Sequence, residues 1–213
     1  MVESQHIAAT MKLVDNRDEQ DLLESLLESS KPPQPDDTAG LDYLLATPFR
    51  YDPKRGGSRF RAVTDPGVFY GAESVRTAGA ELGYWRWKFL NDAVDLDRIE
   101  PVAHTAFRVD VATPVVDLQR PPFDADAATW QHPTDYASTQ QFARVAREAN
   151  VGGILYRSVR DPKTSWCLAL LSPAGFAKPK PHAERQTWYL VVSPHEVTLR
   201  RDTESMQFSA EGW

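Results

Sequence analysis

One cysteine, Cys167, stands alone in 213 residues. No internal disulfide can form, and a cytoplasmic setting is the natural reading. No apolar run approaches the ~20 residues that a helix needs to span a bilayer, so no membrane span is expected. The opening stretch MVESQHIAATMKLVDNRDEQ has no basic segment followed by an apolar one, so no secretory signal is expected either. Positive charge is the minority sign, with 24 Lys and Arg against 30 Asp and Glu and a formal net charge of -6. Nucleic-acid-binding domains are usually basic, which argues against direct nucleic-acid binding. The five histidines, His6, His104, His132, His182 and His195, form no HxxxH, there is no CxxC and there are no paired carboxylates, so no metal site is expected. Gly56-Gly57 is not followed by GK[ST] and opens no helix after a strand, which excludes a P-loop and a dinucleotide fingerprint. No internal repeat is visible.

What remains is an ordinary globular composition, 41% hydrophobic and 25% charged. The length suits one domain with a terminal extension. Residues 17–30, RDEQDLLESLLESS, place Leu22, Leu23, Leu26 and Leu27 at helical spacing among acids. KPPQPDDTAG then breaks regular structure. Residues 1–40 therefore read as a helical arm and linker whose leucines pack onto their own domain, and residues 41–213 as the main domain. Within it, VFYGA (68–72) reads as a strand. A helix from about residue 74 to 90 carries Val75, Ala78, Leu82, Trp85 and Phe89 as one apolar stripe. HTAFRVDVA (104–112) reads as a strand, and residues 136–149 as a second helix stopped by Gly152-Gly153. GILYRSVR (153–160) and SWCLALLS (165–172) read as strands, and RQTWYLVVS with HEVTLRR as a final hairpin turning at Ser193-Pro194. Strands that do not alternate regularly with helices indicate an α+β fold.

One stretch departs from the acidic background. PFRYDPKRGGSRFR (48–61) holds four arginines and a lysine beside a Gly-Gly turn, so any anion site must be local. Cys167 lies in an apolar strand and reads as inert core rather than a nucleophile. Glu81 falls on the shoulder of the apolar stripe, one turn before Trp85, where a carboxylate serves either a structural salt bridge or an acid with a function. Glu73 falls opposite the stripe and reads as solvent-facing. Alternation along GILYRSVR puts Ile154, Tyr156, Ser158 and Arg160 on one face and Leu155, Arg157 and Val159 on the other. Tyr70 ends a strand just before a helix, a place for core packing or for a ring at the mouth of a site.

TPFRY, GSRF, FYGAESVRTAGAE and GILYRSVR…CLALLSP, in this order and spacing, resemble the RES domain over roughly residues 43–173. The resemblance implies an ADP-ribosyltransferase-like fold, with mixed and antiparallel sheets and flanking helices. It also implies an NAD⁺-degrading toxin of a type II toxin–antitoxin system, with NAD⁺ as substrate and no other cofactor. Carried over residue by residue, it makes Arg59, Glu81 and Ser158 the catalytic set. Arg50 and Tyr51 correspond to the upstream Arg-Tyr of the pocket and Tyr70 to its tyrosine. Arg157 joins the cofactor-binding set, and Arg157 and Arg160 are subfamily features that serve as ligands or structural ion pairs. The Arg50–Arg59 loop is short, Phe60 stands at a position usually held by tryptophan, and RSVR replaces the usual proline-serine. The implied partners are an Xre-type antitoxin that covers the active-site entrance and a second copy in a homodimer.

These residue types suit that chemistry. Cleaving the nicotinamide–ribose bond releases a neutral leaving group through an oxocarbenium-like transition state, so a fixed negative charge and good positioning are what help. Glu81 supplies the charge, Arg50 and Arg59 hold the pyrophosphate, a tyrosine stacks on nicotinamide, and Ser158 fixes the ribose or carboxamide. Lys54 and Arg55 read as the solvated rim of the clamp. The acceptor, whether water, phosphate or a protein side chain, is left open. A reading from another class, a non-catalytic RES-like binding module with the leucine-rich arm as its interaction surface, also stays open.

Overall fold

A computed structural model of the chain describes residues 1–4, 13–51 and 56–213. Lys54 and Arg55, expected as the rim of the basic loop, lie outside the described residues, as does His6. In chain order the elements are β1 (Val2–Glu3), α1 (Arg17–Ser29), α2 (Tyr43–Arg50), β2 (Phe69–Ala72), α3 (Val75–Asp92), β3 (Ile99–Phe107), β4 (Val115–Asp117), α4 (Ala127–Trp130), α5 (Ala137–Glu148), β5 (Gly153–Arg157), β6 (Trp166–Leu170), β7 (Arg185–Val192), β8 (Glu196–Arg201) and β9 (Glu204–Ser209). They form two sheets. One has the strand order β1-β3-β7-β8-β9 and is antiparallel throughout. The other has the order β2-β6-β5-β4, with β4 parallel to β5 and the remaining pairs antiparallel. This is a mixed α+β fold with flanking helices. Among the described residues, no helix is long and apolar enough to cross a membrane.

Helix α3 joins the two sheets and carries Glu81. Ser74 caps its N-terminus by accepting a hydrogen bond from the Thr77 amide at 3.1 Å. Its buried face is not the expected stripe. Thr77, Gly79, Ala80, Gly83, Tyr84 and Leu90 are buried, while Trp85 and Phe89 are exposed. The reason is closeness of approach. A Cβ added at Gly83 would lie 3.0 Å from Val197 Cγ1 and 3.3 Å from the Trp213 ring, and one at Gly79 would lie 3.5 Å from Leu199 Cδ1. Small residues let the helix settle on β8, which leaves Trp85 and Phe89 exposed and Val75 and Leu82 only partly buried against the same core. The core there is built from Ala80, Leu90, Trp188, Leu190, Val197, Leu199 and Phe208. A second core under the other sheet holds Phe60, Ile154, Tyr156, Cys167 and Ala169 against Ala143 and Ala146 of α5.

Other expectations met the structure unevenly. The helices at 17–30 and 136–149 and the strands at 68–72, 153–160 and 165–172 are present with ends shifted by a few residues. The strand expected at 104–112 instead spans Ile99–Phe107. Its register shifts between Ile99 and Val102, around Pro101, which has no N–H to donate. Val111 keeps only an isolated bridge to Phe176. Strand β9 extends the expected final hairpin to three strands. Along α1 three of the four leucines do not pack inward: Leu22, Leu26 and Leu27 are exposed, Leu23 is half-buried, and Gln20 is its buried residue.

Because α3 sits so near β8, Gly83→Leu is expected to overpack that contact and destabilise the fold by about 1–3 kcal/mol. Urea unfolding of the variant against the parent chain measures this, and an unchanged midpoint would contradict the close packing.

Candidate active site

Between the sheets lies a cleft of about 590 Å³. The stripe that turns away from β8 forms one wall, with Val75, Ala78, Glu81, Leu82 and Trp85 all lining it. Arg59, Tyr70, Tyr136, Tyr156 and Arg160 also line the cleft and bring polar groups to it. The helical periodicity of α3 therefore marks a cleft wall that only Val75 and Leu82 share with the core.

Glu81 is half-buried at the centre of this arrangement. Ser158 Oγ donates to its Oε1 at 2.6 Å, and the Cys167 thiol lies 3.8 Å from the same oxygen. Ser158 is itself buried. Its oxygen accepts from the backbone amides of Arg160 at 3.3 Å and Asp161 at 3.1 Å, which leaves its proton for the carboxylate. Among the described residues, Glu81 makes no ion pair. Burial pushes its pKa above the ordinary glutamate value, opposed by the Ser158 hydrogen bond and by the positive charges of Arg59 and Arg160. Burial and the neighbouring Glu81 charge push the Cys167 thiol up as well, so it stays protonated and is a poor nucleophile.

Arg59 reaches the cleft from the basic stretch. Its Nη1 donates to the carbonyls of Trp130 at 2.8 Å and His132 at 2.9 Å, and its guanidinium lies 4.8 Å from the centre of the Tyr136 ring. The Tyr70 hydroxyl fastens the turn on both sides of it, accepting from the Phe60 amide at 2.9 Å and sharing a hydrogen bond with Ser58 Oγ at 2.8 Å. The Tyr70 ring stays partly open to the cleft. A further network anchors the first turn of α3. Thr77 Oγ1 donates to Asp161 Oδ2 at 3.0 Å and lies 2.8 Å from Ser165 Oγ, which donates to Glu73 at 2.9 Å. Glu73 is solvent-exposed, as its place opposite the stripe suggests, and it still borders the cleft.

Of the residues singled out in the sequence, the structure brings Arg59, Tyr70, Glu81 and Ser158 together, with Ser158 behind Glu81 rather than on the cleft surface. It does not bring Arg50, Tyr51 or Arg157 to the cleft lining. Arg50 ends α2 and is held at 2.7 Å by Glu28 of α1 and at 2.7 Å by the Pro32 carbonyl. The Tyr51 carbonyl accepts from Arg61, which is buried. Arg157 is exposed on the other face of β5, as strand alternation requires. Arg160, left between ligand and ion pair by sequence alone, is buried and lines the cleft. Tyr136, Trp85 and Trp166 also line it. Trp85 carried a signal in the stripe, whereas Tyr136 had none beyond preceding a helix.

Comparison with known protein families matches residues 34–193 to a family described as RES domain. No match to the chain was found among curated proteins.

A carboxyl whose pKa is higher in the folded chain than in the unfolded one holds extra protons when folded. Its contribution to stability is therefore present below the unfolded value of 4.5 and is lost as pH rises through the folded value. Glu81→Gln, which keeps an oxygen to accept from Ser158, removes that loss. The stability of the variant relative to the parent is expected to rise as the pH climbs from the unfolded value of 4.5 through the higher folded value, as read by urea midpoints. A pH-independent difference would mean that Glu81 titrates as an ordinary glutamate.

Proposed function

The chain belongs to the RES domain family, and we propose that it is an enzyme that cleaves the nicotinamide–ribose bond of NAD⁺, passing the ADP-ribosyl group to water or to inorganic phosphate. The family is linked to NAD-related toxin–antitoxin systems, and on this reading the chain is the toxin that drains the cofactor. The observation that carries the reading is Glu81: a carboxylate on a cleft wall, held by Ser158, within the field of two arginines and without an ion-pair partner among the described residues.

The chemistry rests on that placement. The C–N bond breaks with both electrons going to the pyridinium nitrogen, so nicotinamide leaves neutral and needs no proton. The ribose carbon and its ring oxygen are left with positive charge. Glu81 in its anionic form stabilises that charge in a site largely screened from water. The oxygen of water then bonds to the ribose carbon, and Glu81 accepts the released proton. A carboxyl of raised pKa is a better base for this than an ordinary glutamate. Phosphate arrives already anionic and adds through one oxygen. Ser158 is on this reading a positioning residue, because it reaches the reaction through the carboxylate that it orients. Arg59 takes the pyrophosphate, and the Tyr70 ring offers a face to nicotinamide.

In the same reading the two facing sheets are an ADP-ribosyltransferase-like scaffold. Residues 41–213 form the catalytic domain, and residues 1–40 its arm. An Xre-type antitoxin is the assigned partner, and the exposed Trp85 beside the cleft is a surface that it would cover.

Incubating the purified chain with NAD⁺, with and without phosphate, tests the proposal by chromatography. Nicotinamide release is expected, with ADP-ribose or its 1″-phosphate naming the acceptor. Glu81→Gln is expected to slow release by about 10²- to 10³-fold or more. Unchanged release by a folded variant would remove Glu81 from the chemistry.

A further inference from the structure

Arg160 is 3% exposed, yet it lines the cleft. An arginine buried this far normally has a carboxylate beside it, because an uncompensated buried charge is costly. Even the less buried Arg76 and the exposed Arg144 have one, at 3.4 Å from Asp161 and 2.9 Å from Asp65. Arg160 has no carboxylate partner among the described residues. One Nη donates to the Pro133 carbonyl and lies 3.4 Å from the Tyr136 hydroxyl, and the guanidinium lies 3.4 Å from the centre of the Tyr84 ring. Arg59, 7% exposed, is held in the same manner by carbonyls and by the Tyr136 ring.

The two cations therefore flank one tyrosine, and the carbonyls of Trp130, His132 and Pro133 hold both. Carbonyls and ring faces orient a guanidinium without cancelling its charge. The remaining N–H groups of both arginines meet no protein acceptor among the described residues, and none of these nitrogens is sealed from solvent. The fork is fixed from behind as well, since the Trp213 indole donates to the Arg160 carbonyl at 3.0 Å. Two fixed, unneutralised forks on one side of a cleft make a seat for a ligand with two adjacent negative charges.

We propose that Arg160 is a second anion-binding residue of this cleft and that it forms, with Arg59, the seat for the pyrophosphate of a dinucleotide. The identity of that ligand rests on the NAD⁺ reading above, but the seat itself rests on the two arginines. In this arrangement Arg160 supplies the second cation, which the sequence pattern had assigned to Arg50.

Isothermal titration of the full chain with NAD⁺, ADP-ribose, inorganic pyrophosphate and nicotinamide riboside, which carries no phosphate, tests this against Arg160→Met and Arg160→Lys. Loss of a charge-assisted contact is expected to weaken ADP-ribose and pyrophosphate by about 10- to 100-fold in Arg160→Met, and nicotinamide riboside by less than about threefold. Arg160→Lys keeps the charge without the fork and is expected to lose about three- to tenfold. If Arg160→Met does not fold, Arg160→Lys decides in the same way. Should pyrophosphate bind and respond to Arg160 while NAD⁺ and ADP-ribose do not bind the parent chain, the dinucleotide reading fails and the seat stands. Parent-like affinities in a folded variant overturn the proposal. So does equal weakening of nicotinamide riboside and ADP-ribose, which would mark a packing role, and so does a parent chain that binds neither pyrophosphate nor ADP-ribose.

Discussion

The hydrogen bond from Ser158 to Glu81 joins the two halves of the molecule at one atom. Glu81 rides on α3, whose packing belongs to the five-stranded sheet, and Ser158 follows β5 of the four-stranded sheet. A hydrogen bond to a charged group is worth about 1.5–3 kcal/mol, but its direction matters more here than its size. Two backbone amides occupy the acceptor side of the Ser158 hydroxyl, so the proton points at the carboxylate. Anything that displaces α3 from β8 or opens the turn after β5 misplaces the carboxylate. The glycines at 79 and 83 and the Thr77–Asp161 link are therefore as much a part of the site as the residues that line it.

Charge is distributed around this bond unevenly. The carboxylate is partly desolvated, which favours its neutral form, while Arg59 and Arg160 favour the anion, and burial is the larger effect. The arginines do not close into ion pairs with Glu81. Backbone carbonyls and aromatic rings hold them back instead. Had either formed a short bridge to the carboxylate, both charges would have been spent on the protein and the cleft would have lost its field. Acceptors without charge orient a cation and leave its charge to act on a ligand. An acidic chain can thereby carry a locally positive site.

Much of this was legible in the sequence, and the rest was lost for definite reasons. Alternation along GILYRSVR sorted the buried Ser158 and Arg160 from the exposed Arg157, although β5 itself ends at Arg157 and the other two lie just beyond it. The order of Arg59, Tyr70, Glu81 and Ser158 identified four residues that the fold does assemble. Arg50 lay beyond what a linear pattern can place, since its position depends on α1, a helix outside the matched segment, which supplies Glu28. Tyr136 and the carbonyls of residues 130–133 were invisible for another reason. Their contribution is a backbone path through a proline-rich stretch, and no residue type announces it.

The apolar stripe of α3 carries the more general lesson. Helical periodicity identifies a face that is apolar, and in most globular chains the core covers that face. Here the opposite face is covered, because glycines 79 and 83 and Ala80 allow an approach to β8 that larger side chains would prevent. Two faces thus compete for the sheet, and closeness of packing decides between them, since each added contact at van der Waals distance contributes attraction that a more distant helix forgoes. The losing face keeps its apolar residues, and with Glu81 set among them it becomes one wall of a cleft. A carboxylate on such a wall is desolvated by its own neighbours before any ligand arrives. The small residues that seat the helix on the sheet thus also leave its acid on a wall where burial raises its pKa.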